Sequence, residues 1–205
     1  MKAHLLNEII NIEWNMFSSV SNIGGKAYCQ YDSATFETMR RSQFGTWSED
    51  ILVSYRDDLL CAARQGRNLM SEKYARMMEN TWPEEFGALA NELPAVDEET
   101  LVKIENIIAI NVEWKKSACV KYPTLSGKGR PVTSNEDSRN DTSFETYLRG
   151  ELKTYSPKTI RLLYDYTRAQ QHDGQNGVEA NLVMQARQYG YTSLEEAEYA
   201  GNQQS

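Results

Sequence analysis

Glu13 stands inside an apolar helical stripe. Leu6, Ile9, Ile10, Phe17 and Val20 surround it at the spacing of one helix face, so its side chain is directed at the core. An ionised carboxylate buried without a partner is costly. An arginine, a metal, a substrate group or a proton must answer it. The tripeptide Ile12-Glu13-Trp14 has a likeness in Val112-Glu113-Trp114, which puts Glu113 in the same setting beside Ala109, Ile110 and Val120. Two such carboxylates, with pKa values raised by burial, suit acid–base catalysis on a small polar or anionic metabolite. The same residues also suit plain Glu–Arg pairs that join helices.

Candidate partners follow from spacing. Glu37 and Arg41 form an i,i+4 pair, as do Glu145 and Arg149, and each pair adjoins a phenylalanine (Phe36, Phe144). Turned inward, Arg41 and Arg149 answer Glu13 and Glu113, or clamp a substrate carboxylate or phosphate. Two loops share a Gly-Lys step, Gly24-Gly25-Lys26 and Gly127-Lys128-Gly129-Arg130-Pro131. Lys26, Lys128 and Arg130 precede a helix start, a natural place for an anion, although the phosphate-loop pattern is absent. Glu13, Glu37, Glu113 and Glu145 match the carboxylate count of a di-metal bundle site, but Glu-x-x-His is missing, so a metal stays an open alternative. Cys29 has no histidine nearby in sequence and reads as a buried thiol. Lys73 and Arg76 flank Tyr74 and read as solvent-facing.

These side chains need helices to position them. Ser48, Asn68, Asp97 and Ser156 each precede an apolar periodic stretch and read as N-caps; Gly66 ends the helix between the first two. Ser193-x-x-Glu196 has the form of a capping box. Trp14, Trp47, Trp114, Tyr55, Tyr74 and Tyr155 recur at helical spacing and read as core. β-branched alternation is nearly absent, so the fold class is all-α, with a short strand pair at most. The chain also resembles itself. Between residues 36 and 48, six of thirteen positions are identical to those 108 residues later, where average composition gives roughly one. The pattern predicts a tandem duplication of a four-helix unit, residues 8–90 and 100–200, packed about a pseudo-two-fold axis as one domain.

Composition narrows the function. The 205 residues carry 22 Lys+Arg against 29 Asp+Glu, a formal charge of −7, which argues against a nucleic-acid binder that works through backbone charge. No apolar run is long enough for a membrane span, and charge comes too early at the N-terminus for a signal segment. Three separated cysteines fit a cytoplasmic location. Two histidines make a His-rich metal site or a Ser-His-Asp triad improbable.

The runs Phe36-Glu37-Thr38-Met39-Arg40, Ser42-Gln43-Phe44, Gly66-Arg67-Asn68-Leu69 and Glu72-Lys73-Tyr74-Ala75-Arg76-Met77-Met78-Glu79 resemble a bacterial domain-of-unknown-function family common in anaerobic Firmicutes and Actinobacteria. The resemblance extends over nearly the whole chain. It implies a cytoplasmic protein, sometimes encoded near or fused to a nucleotidyltransferase-like domain, and it carries no catalytic residues or cofactor. Two readings result. One is an enzyme in which Glu13 and Glu113 act as acid and base, Arg41 and Arg149 hold the substrate, and Lys26, Lys128 or Arg130 close over it. The other is a non-catalytic helical module that regulates a nucleotidyltransferase-like partner. It expects these Glu and Arg side chains to saturate one another and no deep pocket to exist.

Overall fold

Side-chain caps in front of apolar periodic stretches set where the helices begin. The computed structural model describes residues 1–21, 25–127 and 129–203. Among these, eleven α-helices follow one another and there is no strand: α1 (Lys2–Ser18), α2 (Ser33–Gly45), α3 (Glu49–Arg64), α4 (Leu69–Thr81), α5 (Pro83–Leu89), α6 (Glu98–Lys121), α7 (Pro123–Gly127), α8 (Phe144–Leu152), α9 (Pro157–His172), α10 (Gly177–Gln188) and α11 (Leu194–Gln203). Asn68 accepts bonds from Met70 N and Ser71 N at 2.9 and 3.0 Å, and Asn176 from Val178 N and Glu179 N at the same distances. Ser48 and Ser156 accept from Ile51 N and Thr159 N at 3.4 and 3.3 Å. Each satisfies donors that the first helical turn leaves without a partner.

The stops are equally local. Gly66 and Gly174 take φ of +69° and +67° after α3 and α9. Arg67 N then reaches back to Ala62 O at 2.9 Å, and Gln175 N to Gln170 O at 2.8 Å, the Schellman closure that glycine permits. At α11 the capping differs from a simple box. Ser193 Oγ accepts from Glu196 N, but Glu196 reaches Thr192 N rather than its own N-cap.

α1 packs on α2, α3 and α4; α6 packs on α8, α9 and α10. Three pairings join these groups: α2 with α10, α4 with α8, and α3 with α9. The main core runs through all of them, with Ile9, Phe44, Leu52, Tyr55, Ile104 and Ile160 fully enclosed. A smaller cluster of Tyr122, Ala186, Leu194 and Ala197 holds α7 and α11 against α10.

The α4–α8 pairing matters most for the site below, and it depends on Gly150. A methyl group there would stand 2.9 Å from Met77 Cγ and 3.0 Å from the Lys73 carbonyl oxygen. Gly150→Ala is therefore expected to lower stability by about 1–3 kcal/mol through overpacking, despite the better helix propensity of alanine. A denaturant titration checks this; an unchanged or raised midpoint would show that α4 and α8 part without cost.

The long connection before α8 is held by side chains. Asp137 accepts from Ser143 N at 2.6 Å and from Thr146 Oγ1 at 2.5 Å. Glu145 accepts from Ser134 N at 2.9 Å. Lys128 and Gly24 lie outside the described residues.

Candidate functional site

Glu13 is wholly buried, and the cation that answers it comes from α2. That cation is Arg40, one residue before the expected Arg41. Arg40 Nε donates to Glu13 Oε2 at 2.6 Å, and Nη2 donates to Oε1, giving a two-point clamp. Tyr55 OH, from α3, donates to the same Oε1 at 2.5 Å. The remaining face of Arg40 is also spent. Its Nη1 donates to Gln43 Oε1 at 2.7 Å and to both oxygens of Glu151 at 3.2 Å.

Glu151 on α8 is the second buried carboxylate. Lys73 Nζ, from α4, donates to its Oε2 at 2.5 Å. Tyr155 OH and Gln43 Nε2 donate to its Oε1 at 2.8 and 2.9 Å. The result is an alternating chain, Glu13–Arg40–Glu151–Lys73, with two charges of each sign. Its members are 0, 5, 1 and 1% exposed. Burial alone would push the Glu151 carboxyl up, but Arg40 and then Lys73 outweigh it and hold the group well below the usual carboxylate range. Burial works against the Arg40 charge too, and Glu13 and Glu151 raise its pKa well above the ordinary arginine value. Burial, then Glu13, lifts the Tyr55 phenol; burial, then Glu151, lifts that of Tyr155. Both phenols therefore stay protonated and donate.

Glu113 is a correction. Its side chain is 72% exposed and pairs with Lys116 one turn along α6. The likeness between Ile12-Glu13-Trp14 and Val112-Glu113-Trp114 is out of register with the packing. Asn68 Nδ2 donates to Met16 O at 2.8 Å, and Asn176 Nδ2 to Trp114 O at 3.1 Å. With those anchors aligned, buried Ile9 and Ile10 fall on buried Ile107 and Ile108, and Glu13 falls on Asn111. Two residues turn a side chain by about 200° on an α-helix, which carries Glu113 from core to solvent.

The other expected residues are dispersed. Arg41 bonds Glu37 and Asn7 at the surface, at 2.6 and 2.7 Å. Arg149 clamps Glu105 of α6 at 2.9 Å and bonds Glu145 at 2.8 Å, so neither arginine faces Glu13. Lys26 is exposed, with its ammonium 5.9 Å from the Tyr31 ring centre. The four glutamates Glu13, Glu37, Glu113 and Glu145 do not converge, and among the described residues no group of three or more His, Cys, Asp or Glu is placed to hold a metal ion. Cys29 is exposed rather than buried, because the turn Tyr28–Tyr31 buries Gln30 and turns its neighbours outward. Lys73, expected in solvent, is in the core.

Tyr55 and Tyr155 are in the core as their spacing predicts, but their hydrogen bonds to the buried carboxylates, and the inward direction of Arg40, Lys73 and Glu151, were not anticipated; for Arg40 and Lys73 a signal existed. Arg40 lies four residues from both Phe36 and Phe44, and Lys73 four residues from both Leu69 and Met77. Each is a charge inside an apolar stripe, the pattern that marked Glu13.

A cavity of about 430 Å³ adjoins the network between α2, α6, α8, α9 and α10. Arg40, Gln43, Glu151 and Tyr155 form the wall it shares with the network. Asn111, Trp114 and Lys115 come from α6, Asn181 from α10, and Arg130 from the connection before α8. Glu13 does not border it. Lys115 Nζ donates to Ser126 O and Oγ at 2.9 and 2.8 Å; Arg130 lies over the Tyr147 ring, 4.8 Å from its centre. Among the described residues, neither cation has a carboxylate within 4.0 Å. Burial lowers the Lys115 pKa, and the nearby Cys119 thiol offsets this only in part. The saturated network is what a structural pairing requires; the cavity is what a small-molecule reading requires.

The chain belongs to the family described as "Protein of unknown function (DUF4125)", which matches residues 3–199. No curated protein and no solved structure matches it. Among the described residues, no helix is long and apolar enough to cross a membrane.

Proposed function

Starting from a family whose description assigns no activity, we propose that this chain binds a small organic anion in the cavity between α2, α6, α8, α9 and α10. The observation that carries the reading is the pair Lys115 and Arg130. In a chain of net charge −7, these two cations line one cavity and have no carboxylate partner among the described residues. The size falls in the range of small-ligand sites, and the mixture of aromatic walls with a few polar groups is typical of them. The Glu13–Arg40–Glu151–Lys73 network serves as the rigid wall on one side. An acid–base role for Glu13 is the weaker reading, since both its oxygens are occupied and it does not border the cavity.

The chain is further read as a duplicated unit with a pseudo-two-fold relation between its copies. Both ends of α3 and α9 coincide at an offset of 108, as do the starts of α4 and α10. The offset is 98 for α1 and α6, as the asparagine anchors place it.

A thermal-shift screen of small carboxylates and phosphates tests the binding reading. A binder is expected to raise the melting temperature of the wild type and to lose most of that effect in Lys115→Met/Arg130→Met. If no anion shifts either protein, or if the double variant responds equally, the reading fails.

A further inference from the structure

We infer, on the basis of the duplication and the anion cavity proposed above, that the ligand carries a planar aromatic ring with an uncharged hydrogen-bonding edge next to its anionic group. With offsets of 98 and 108, each member of the ion network has a counterpart in the other half. Glu13 corresponds to Asn111, Arg40 to Leu148, Lys73 to Asn181 and Tyr55 to Leu163. Gln43 and Glu151 correspond to each other, as do Trp47 and Tyr155. Every one of these counterparts lines the cavity. The cavity thus occupies the place that the first half fills with its own side chains.

The differences between the two places specify the occupant. Leu148 lacks the guanidinium of Arg40, Asn181 lacks the outer chain and ammonium of Lys73, and Leu163 lacks the phenol of Tyr55. In the filled half, the Tyr55 ring lies 5.8 Å from Trp47 and 4.6 Å from Tyr155, centre to centre. The same two aromatics line the cavity together with Trp114, Phe144, Tyr147 and Tyr166, but among the described residues none of these four rings stacks on Trp47 or Tyr155 as Tyr55 does. A flat ring from a ligand restores that aromatic packing. Charge is absent on the counterparts of Glu13 and Lys73, which are amides. Asn111 spends its Nδ2 on Ile107 O at 2.9 Å and keeps its carbonyl oxygen; Asn181 makes no side-chain hydrogen bond among the described residues. Two amide groups recognise uncharged donors and acceptors. Lys115 and Arg130 then take the anionic group, carboxylate or phosphate.

Calorimetric titration of the full chain tests this with four probes: indole-3-acetate, indole-3-acetamide, cyclohexylacetate and 3-indoxyl phosphate. The aryl anions are expected to bind about tenfold more tightly than cyclohexylacetate, the ratio that ~1.4 kcal/mol of ring packing produces. Whether indole-3-acetate or 3-indoxyl phosphate, which share one ring, binds better separates a carboxylate from a phosphate ligand. Leu163→Tyr, which supplies the missing ring from the protein, is expected to abolish aryl binding. Leu163→Phe does the same without a buried hydroxyl, should the tyrosine variant fold poorly. If cyclohexylacetate binds as tightly as the aryl anions, the ring is refuted and the anion cavity stands. If indole-3-acetamide binds as tightly as indole-3-acetate, or no probe binds, the anion cavity falls with it.

Discussion

Arg40→Met is expected to destabilise the chain by about 3–5 kcal/mol, the cost of leaving buried charges uncompensated. It strips Glu13 of its two-point partner and removes one of the two cations that face Glu151. For a chain of this length that corresponds to a fall in melting temperature of roughly 6–20 °C. Arg41→Met is the control. Its ion pair with Glu37 is solvent-exposed, and its loss is expected to cost no more than about 0.5 kcal/mol. Adding Glu13→Gln to Arg40→Met should recover part of the loss, because a neutral amide no longer demands a cation. Recovery stays partial since Arg40 also serves Glu151. Equal melting temperatures for Arg40→Met and Arg41→Met would mean that the network carries no special weight in the fold.

Acid should expose the second carboxylate. The Glu151 pKa in the folded chain lies well below its ordinary value of 4.5, with Arg40 and Lys73 overriding the opposing effect of burial. The unfolded chain therefore takes up this proton first as pH falls. Its stabilisation is complete above about pH 4.5 and is lost progressively below that, at a slope approaching about 1.4 kcal/mol per pH unit for the one proton. Because the folded value is so low, the loss continues to below about pH 2. Glu151→Gln is expected to be less stable than the wild type at neutral pH and to show a shallower decline between about pH 4.5 and pH 2. Urea titrations across that window measure both profiles. Parallel profiles would show that Glu151 is not held ionised by its neighbours.

The helices and their ends were legible along the chain because their causes are local. Ser48, Asn68, Asp97 and Ser156 each cap a helix through donors two or three residues away, and Gly66 closes one through a bond of five residues' span. The inward direction of Glu13 was legible for the same reason, since a stripe of neighbours at three- and four-residue spacing defines it. The identity of its partner was not. Arg40 and Arg41 differ by about 100° around α2, and the recurrence of Arg41 as Arg149 favoured the wrong one. The apolar flanks Phe36 and Phe44 point to Arg40, but only packing of α2 against α1 turns that face toward Glu13. Lys73 and Glu151 lie 78 residues apart and meet because Gly150 lets α8 close on α4. Glu113 was assigned by likeness of three residues, whereas its exposure depends on the rotational setting of α6, which the Asn176 anchor to Trp114 establishes. The cavity was the least legible feature. It is a volume lined by side chains of α2, α6, α8, α9 and α10, and it exists only once those five helices have been brought around it.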